Sequence, residues 1–359
     1  MGEVLSSILP TVAHTRYSRL SIPVFGVTLS LRMKAIYRLI IFGILFAVSS
    51  IAEADGFAVE KTKVGVTVNY DGKLFTRYII GESNKPFMWP VMGPNGTEMT
   101  RAYPTEKREG ERHDHPHHRS LWFGHQGVAG FDTWHEPMTI LERGGNDAQK
   151  KQRLAGLGST VHREFVKVQG GSTAVIITRN DYVGSNGKKL LADTRTHTFR
   201  VANGQRIIDV DITFTAEHGN CKLTDKKDAG FSVRVPTSID VDSKKGGRIV
   251  NSNGITDKAA WGKRAAWVDY HGPVKGQIVG VAILNHPKSF RHPTAWHVRT
   301  YGLFTANPFS LRGLGLKGDG GLTLKKGESL TLRHRVIFHN GDEKAAKIAE
   351  AYKAYAKEK

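Results

Sequence analysis

Residues 111–136 read ERHDHPHHRSLWFGHQGVAGFDTWHE. They hold six of the chain's sixteen histidines and two of its six tryptophans. His113, His115 and His117 are spaced by two, so an extended segment would project all three to one face. Such a row could hold a divalent metal as cofactor, since imidazole suits zinc, copper and iron. The pattern contains no HExxH. It has the HxH spacing of a cupin, but Arg119 and Ser120 stand where the following glutamate belongs. Without a metal, the same imidazoles are groups that exchange protons near neutral pH. His115, His117 and His118 are therefore candidate catalytic residues, with Glu136 as a carboxylate partner. Arg119 could grip a polar or anionic substrate. His125 follows Gly124, where the backbone can be approached closely. Trp134 offers a flat wall for a sugar ring, although the core is the commoner place for tryptophan.

A second stretch, NHPKSFRHPTAWHVRTYGLFTANPF (285–309), repeats the mixture with His286, His292 and His297. We expect the two stretches to meet in one site. His297 then joins the catalytic set, and Arg291, His292 and Trp296 join the substrate contacts. On the strand expected at 192–201, Asp193, Arg195 and His197 share a face. Such a row is either solvated or lines a pocket, because an inward charge is costly unless paired. Arg195 and His197 are accordingly further substrate-binding candidates. The sequence shows no serine nucleophile elbow, no phosphate-cradling glycine loop before a helix and no zinc cysteines. Cys221 is the single cysteine. It excludes an internal disulfide and reads as a small buried residue.

These groups need a scaffold, and the chain reads as mostly strands. Residues 57–70 and 73–80 form a hairpin around Asp71-Gly72. Further strands are expected at 161–169, 172–182, 192–201, 205–216, 230–235, 248–251, 267–271, 277–284, 296–300 and 329–338, joined by glycine-centred turns. Many short strands at this spacing predict an all-β fold, a large antiparallel sandwich. Residues 142–158 read as a surface loop. A helix is expected at 342–358, with Ala345, Ile348, Ala349, Tyr352 and Tyr355 on one stripe. We expect a single domain over 55–359.

The first 54 residues read differently. A basic start (Met33, Lys34, Arg38), ten apolar residues at 39–48 and Ala52-Glu53-Ala54 have the grammar of a cleaved secretory signal. Translation is expected to begin at Met33, and the mature protein to be periplasmic or secreted with no stable membrane span. The net charge of +19 is spread along the chain and fits general solubility or attraction to acidic glycans. Export argues against an intracellular nucleic-acid partner, and none is expected.

HDHPHHRSLWFGH, AGFSVRVP (229–236), AAWVDYHG (265–272) and the 285–309 stretch together resemble the PmoA-like family of secreted bacterial proteins, over roughly 60–340. The resemblance implies an exported soluble protein in a polysaccharide-degrading setting. It does not imply methane oxidation, since residues 55–359 have no apolar run near the ~20 residues of a spanning helix. The sandwich is similar to the mutarotase-like supersandwich of sugar enzymes. The first functional expectation is an exported carbohydrate-active protein acting on a sugar or polysaccharide through a His/Trp/Arg site. The alternatives are a metal-binding oxidoreductase using residues 113–118 and a non-catalytic module for acidic glycans.

Overall fold

A computed structural model describes residues 56–359. The expected signal segment lies outside them. In chain order the strands are β1 (Phe57–Thr62), β2 (Gly65–Tyr70), β3 (Lys73–Ile79), β4 (Phe87–Val91), β5 (Leu121–His125), β6 (Gly158–Gln169), β7 (Ala174–Gly184), β8 (Lys189–Ala202) and β9 (Gln205–Thr215). They continue with β10 (Cys221–Leu223), β11 (Ala229–Arg234), β12 (Arg248–Asn251), β13 (Trp267–Val274), β14 (Gln277–Asn285), β15 (Ala295–Val298), β16 (Leu303–Asn307), β17 (Leu322–Leu324) and β18 (Ser329–Asn340). The first sheet has the order β1-β2-β3-β4-β5-β11-β16-β15, and the second β12-β13-β14-β18-β9-β8-β7-β6. Every pairing within them is antiparallel. The expected antiparallel sandwich is therefore the observed fold.

Alternation builds the core. On β9, Ile208, Val210, Ile212 and Phe214 are buried, while Asp209 and Asp211 take the other face. These apolar side chains meet Val68, Phe75, Phe123 and Phe231 of the first sheet in one continuous core. Each sheet keeps a smaller apolar cluster on its outer face. Trp122, Trp134, Ile79, Phe87 and Leu303 form it on the first, and Trp267, Leu284, Ile337, Ile348 and Tyr355 on the second. Cys221 is buried, and burial pushes its thiol up to about 11. The long edge strand β6 slips register against β7 at His162/Glu164 and again at Phe165/Lys167.

Two expectations on local structure are corrected, and one left conditional is resolved. The loop at 142–158 contains a helix: α1 spans Pro137–Glu142 and α2 spans Asp147–Ala155. The signal for α2 is a reciprocal cap, in which the Asn146 side chain accepts from the Gln149 amide and the Gln149 side chain accepts from the Asn146 amide. The C-terminal helix α3 is shorter than expected, Ile348–Tyr355. Asp342 spends its carboxylate on the amides of Lys344 and Ala345 in a preceding turn. Finally, the segment before β5 is a turn and not an extended strand. His118 donates its amide to the His115 carbonyl, and His115 has φ 47°. The two-residue spacing of the histidines therefore does not place them on one face.

Candidate functional site

The turn at 114–118 lies against the outer face of the first sheet. There the His118 ring stacks on Trp122, with centroids 5.4 Å apart. A Cβ at Gly124 would come within 3.2 Å of the Thr133 carbonyl and Trp134 Cα, so glycine lets the Trp134 segment lie down on β5. Trp134 is fully buried and packs behind His117 and His118. It is a backing wall and not a surface for stacking a ligand. In front lies a cavity of about 330 Å³ bordered by Asp114, His115, His117, His118, His135, Thr139, Arg143, Asp228 and Tyr301. Its size is at the lower end of small-molecule sites.

Each of three imidazoles bordering this cavity is fixed at Nδ1 by a different element. His115 Nδ1 donates to Asp114 Oδ2 at 3.1 Å. His117 Nδ1 bonds Thr139 Oγ1 of α1 at 2.8 Å. His118 Nδ1 receives Arg234 Nη1 of β11 at 3.1 Å. A guanidinium only donates, so the proton of neutral His118 sits on Nε2. For His115 the reverse holds, because Asp114 takes the Nδ1 proton and leaves a lone pair on Nε2. The three Nε2 atoms have no hydrogen-bond partner among the described residues. His115 and His118 stack at 4.8 Å, nearly parallel, and His117 closes on His118 at 4.5 Å.

Charges behind the rings are paired. Burial alone would raise the Asp114 carboxyl, but the His115 hydrogen bond and the Arg234 and Arg101 charges outweigh it and hold it far below the usual range. Burial drives His117 and His118 well below the ordinary histidine value, helped by the charge of His135 on the first and of His117 and Arg234 on the second. Both are neutral at neutral pH. His135 is satisfied on both nitrogens, donating to Asp132 at 2.7 Å and receiving Arg143 at 3.1 Å.

The two histidine-rich stretches do meet. Tyr301, in the turn between β15 and β16, stacks flat on His115 at 5.1 Å and lies under the Arg234 guanidinium. His297 stands one step behind the cavity. Its Nδ1 accepts from Trp261 Nε1 at 2.8 Å, which puts the ring proton on Nε2, 3.6 Å from Asp228 Oδ1. Burial would raise Asp228, but His297 and Lys227 hold it ionised.

Other expected site residues lie elsewhere. His113 stacks on Tyr103 and donates to the Arg108 carbonyl, so it leaves the metal row proposed with His115 and His117. Glu136 is buried and bound by Lys85 at 3.0 Å and by Arg119 at 2.6 Å. Burial acts to raise it, yet these cations take it down to about 2. Arg119 is thereby committed to Glu136 and not to a substrate. His125 is sealed in the core, where burial pushes it down to about 3. Arg291 donates to the carbonyls of Pro308, Gly320 and Gly321 and ties loops together. His292 bonds Asn285 and lies flat against Tyr352 of α3. Trp296 is wholly buried in the inner core and donates to the Ala265 carbonyl.

Asp193, Arg195 and His197 face inward between the sheets, beside Leu191 and Phe199. Arg195 pairs with Asp193 at 2.9 Å, and Tyr182 and Asn180 donate to the same carboxylate. The void beside Arg195 and His197 is about 10 Å³, room for a water and not a sugar. Arg195 and His197 are therefore core residues, held there because the charge is paired.

Asp114, Thr139, Arg143, Asp228, Arg234 and Tyr301 were not singled out from the sequence. Arg234 had a readable signal, a lone cation inside the apolar run AGFSVRVP. The others carry no local signal: Asp114 and Tyr301 act through contacts with segments more than a hundred residues away, and Thr139 and Arg143 through the placement of α1 and the residue after it.

The chain belongs to a family of unknown function (DUF6807), which matches residues 65–353. That match carries no activity, and no comparison names the PmoA-like family. No curated protein matches the sequence. Among solved structures, the chain is similar to an α-galactosidase from Lactobacillus brevis, at 8% identity over 80% of this chain and 39% of that one, with TM-score 0.35. It is also similar to a galactose mutarotase related enzyme from Lactobacillus acidophilus, at 8% identity over 79% of this chain and 97% of that one, with TM-score 0.31. A polysaccharide lyase matches at 16% identity over 80% of this chain and 33% of that one, with TM-score 0.27. The chain spans about two fifths of the length of the α-galactosidases it matches. No helix among the described residues is long and apolar enough to cross a membrane.

Proposed function

We propose that this is an exported carbohydrate-active enzyme that moves protons on a sugar held in the outer-face cavity. One observation carries the reading. Three of the four imidazoles that border one cavity are each pinned at Nδ1 and each leave Nε2 uncommitted. His115, oriented by Asp114, presents a lone pair and acts as the base. His118, oriented by Arg234, presents a proton and acts as the donor. The Tyr301 and half-exposed His115 rings, stacked on each other, border the space for a pyranose, and Arg143 and Lys227 at the rim suit hydroxyl or carboxylate substituents. Asp114 and Asp228 are both held ionised, so neither supplies the protonated carboxyl of glycoside hydrolysis, and the third carboxylate of the lining, Glu142, stands exposed at the rim. Proton abstraction and return, the steps shared by epimerisation and elimination, fit these residues better.

The test is incubation with a panel of neutral and acidic sugars in D₂O, followed by proton NMR. Deuterium uptake at a sugar carbon, or an unsaturated product, is expected and disappears in His115→Gln and His118→Gln. Wild-type protein that neither binds nor exchanges any sugar would sink the proposal, as would variants that keep full turnover.

A further inference from the structure

Among the described residues, five carboxylate side chains belong to the buried set: Glu136, Asp181, Asp193, Asp240 and Asp269. Four are paired with a guanidinium or an ammonium. Glu136 has Lys85 and Arg119, Asp181 has Arg163 and Lys189, Asp193 has Arg195, and Asp240 has Arg112. Asp269 is completely buried, yet its ion-pair partners are two imidazoles. His271 Nδ1 lies 2.6 Å from Oδ1, and His339 Nε2 lies 2.6 Å from Oδ2. A second carboxylate, Glu343 Oε2, faces the same His271 Nδ1 at 3.7 Å. Asp269 and Glu343 thus bring two carboxylates to one imidazole nitrogen.

The fold goes out of its way to assemble the group. Asp269 and His271 share the outer face of β13 with Trp267, and His339 shares the outer face of β18 with Ile337. His339 and His271 both align with Gly280 on the strand between them. A Cβ at Gly280 would sit 2.2 Å from His339 Cε1 and 3.0 Å from His271 Cβ. Glycine there lets His339 lie across β14 and reach Asp269. Glu343 arrives from the turn that leads into α3.

We propose that Asp269, His271 and Glu343 bind a divalent cation of the zinc class, with His339 orienting Asp269, and that the ion clips the C-terminal segment onto the second sheet. One ligand atom from each of the three lies within 4.8 Å of the others. Ligands at ~2.0–2.1 Å around a tetrahedral ion stand about 3.3 Å apart, and the spacings of 2.6 and 3.7 Å fall on either side of that value. One imidazole nitrogen with two carboxylate oxygens suits a borderline cation. The hydrogen bond on the other Asp269 oxygen is the support that metal-binding carboxylates commonly have. No residue of this group borders the sugar cavity.

The experiment is calorimetric titration of Zn²⁺ into chelator-stripped full-length protein, with the melting temperature read alongside. One equivalent is expected to bind and to raise the melting temperature. Glu343 is half-buried, so Glu343→Gln should keep the fold. That variant is expected to lose the high-affinity event and the thermal shift, while His117→Ala keeps both. His339→Gln should weaken binding by ~10–100-fold, the usual loss when an orienting partner is removed. No uptake by the wild type, or uptake unchanged in Glu343→Gln, overturns the proposal. Uptake abolished by His117→Ala but kept in Glu343→Gln assigns the ion to the cavity and overturns it equally.

Discussion

The two histidine-rich stretches have nearly the same composition and opposite fates. In the early stretch, His115, His117 and His118 sit in a tight turn above Trp122 and border a cavity. In the late stretch, His286 bonds the Glu358 carbonyl and His292 lies against Tyr352, so both hold the C-terminal segment down. His297 alone reaches toward the cavity, through Asp228. The difference lies in what stands on the other side of each ring. Where neighbours occupy both nitrogens, as at His286 and His292, an imidazole is cement. Where one nitrogen is tied and the other is left open, it is available for chemistry.

Substitutions should separate the two fates. The largest effect is expected from His115→Ala or His118→Gln, with turnover falling by about 10²–10⁴-fold, the usual worth of a positioned acid or base, and melting temperature nearly unchanged for the exposed His115. His292→Ala should leave turnover intact and speed amide exchange in α3. Equal losses in both sets would erase the distinction.

Stability should follow the inner core instead. Arg195→Met leaves Asp193 buried without its cation and should cost about 3–5 kcal/mol in denaturant unfolding. Trp296→Ala should cost a similar ~3–5 kcal/mol through the cavity it opens. Tyr301→Ala should raise KM several-fold at little cost in stability. If Trp296→Ala changed KM alone, Trp296 would be a substrate wall after all.

The smallest and broadest effect is on pH. His125, His197 and His334 are pushed by burial to about 3. Between that value and the ordinary 6.5 the unfolded chain binds protons that the folded chain refuses. Stability therefore rises with pH across this window and falls as the pH drops from 6.5 toward 3, by up to ~1.4 kcal/mol per unit for each histidine. Glu136, held near 2, stabilises the fold above its unfolded value near 4.5 and loses that contribution as the pH falls to 2. Urea midpoints measured from pH 7 to 4 should decline steadily. A flat profile would mean that these rings are solvated.

The sandwich was legible because alternation is local. Runs such as 206–214 state their own buried face, and glycine turns state where strands end. The meeting of the two histidine stretches was also legible, from composition alone. The partners were not. Whether Arg119 holds a substrate or Glu136, and whether Trp296 is a wall or core, depends on contacts with distant segments that no local pattern encodes. The HxHxH spacing misled because Pro116 and the positive φ of His115 turn the chain where alternation assumes it runs straight. The inward row at 193–197 was read with its pairing left open, and Arg195 closes it onto Asp193.

The two register slips in β6 bear on how the molecule meets others of its kind. β6 is the longest strand at any sheet margin, twelve residues with Val161 and Val166 exposed. A straight strand of that length would be an open template for a neighbouring chain. Each slip leaves an unpaired residue and adds twist, and His162, Arg163, Glu164 and Lys167 interrupt the apolar positions. An incoming strand would find its donors and acceptors out of step within a few residues, which makes that margin a poor template for pairing without a cap.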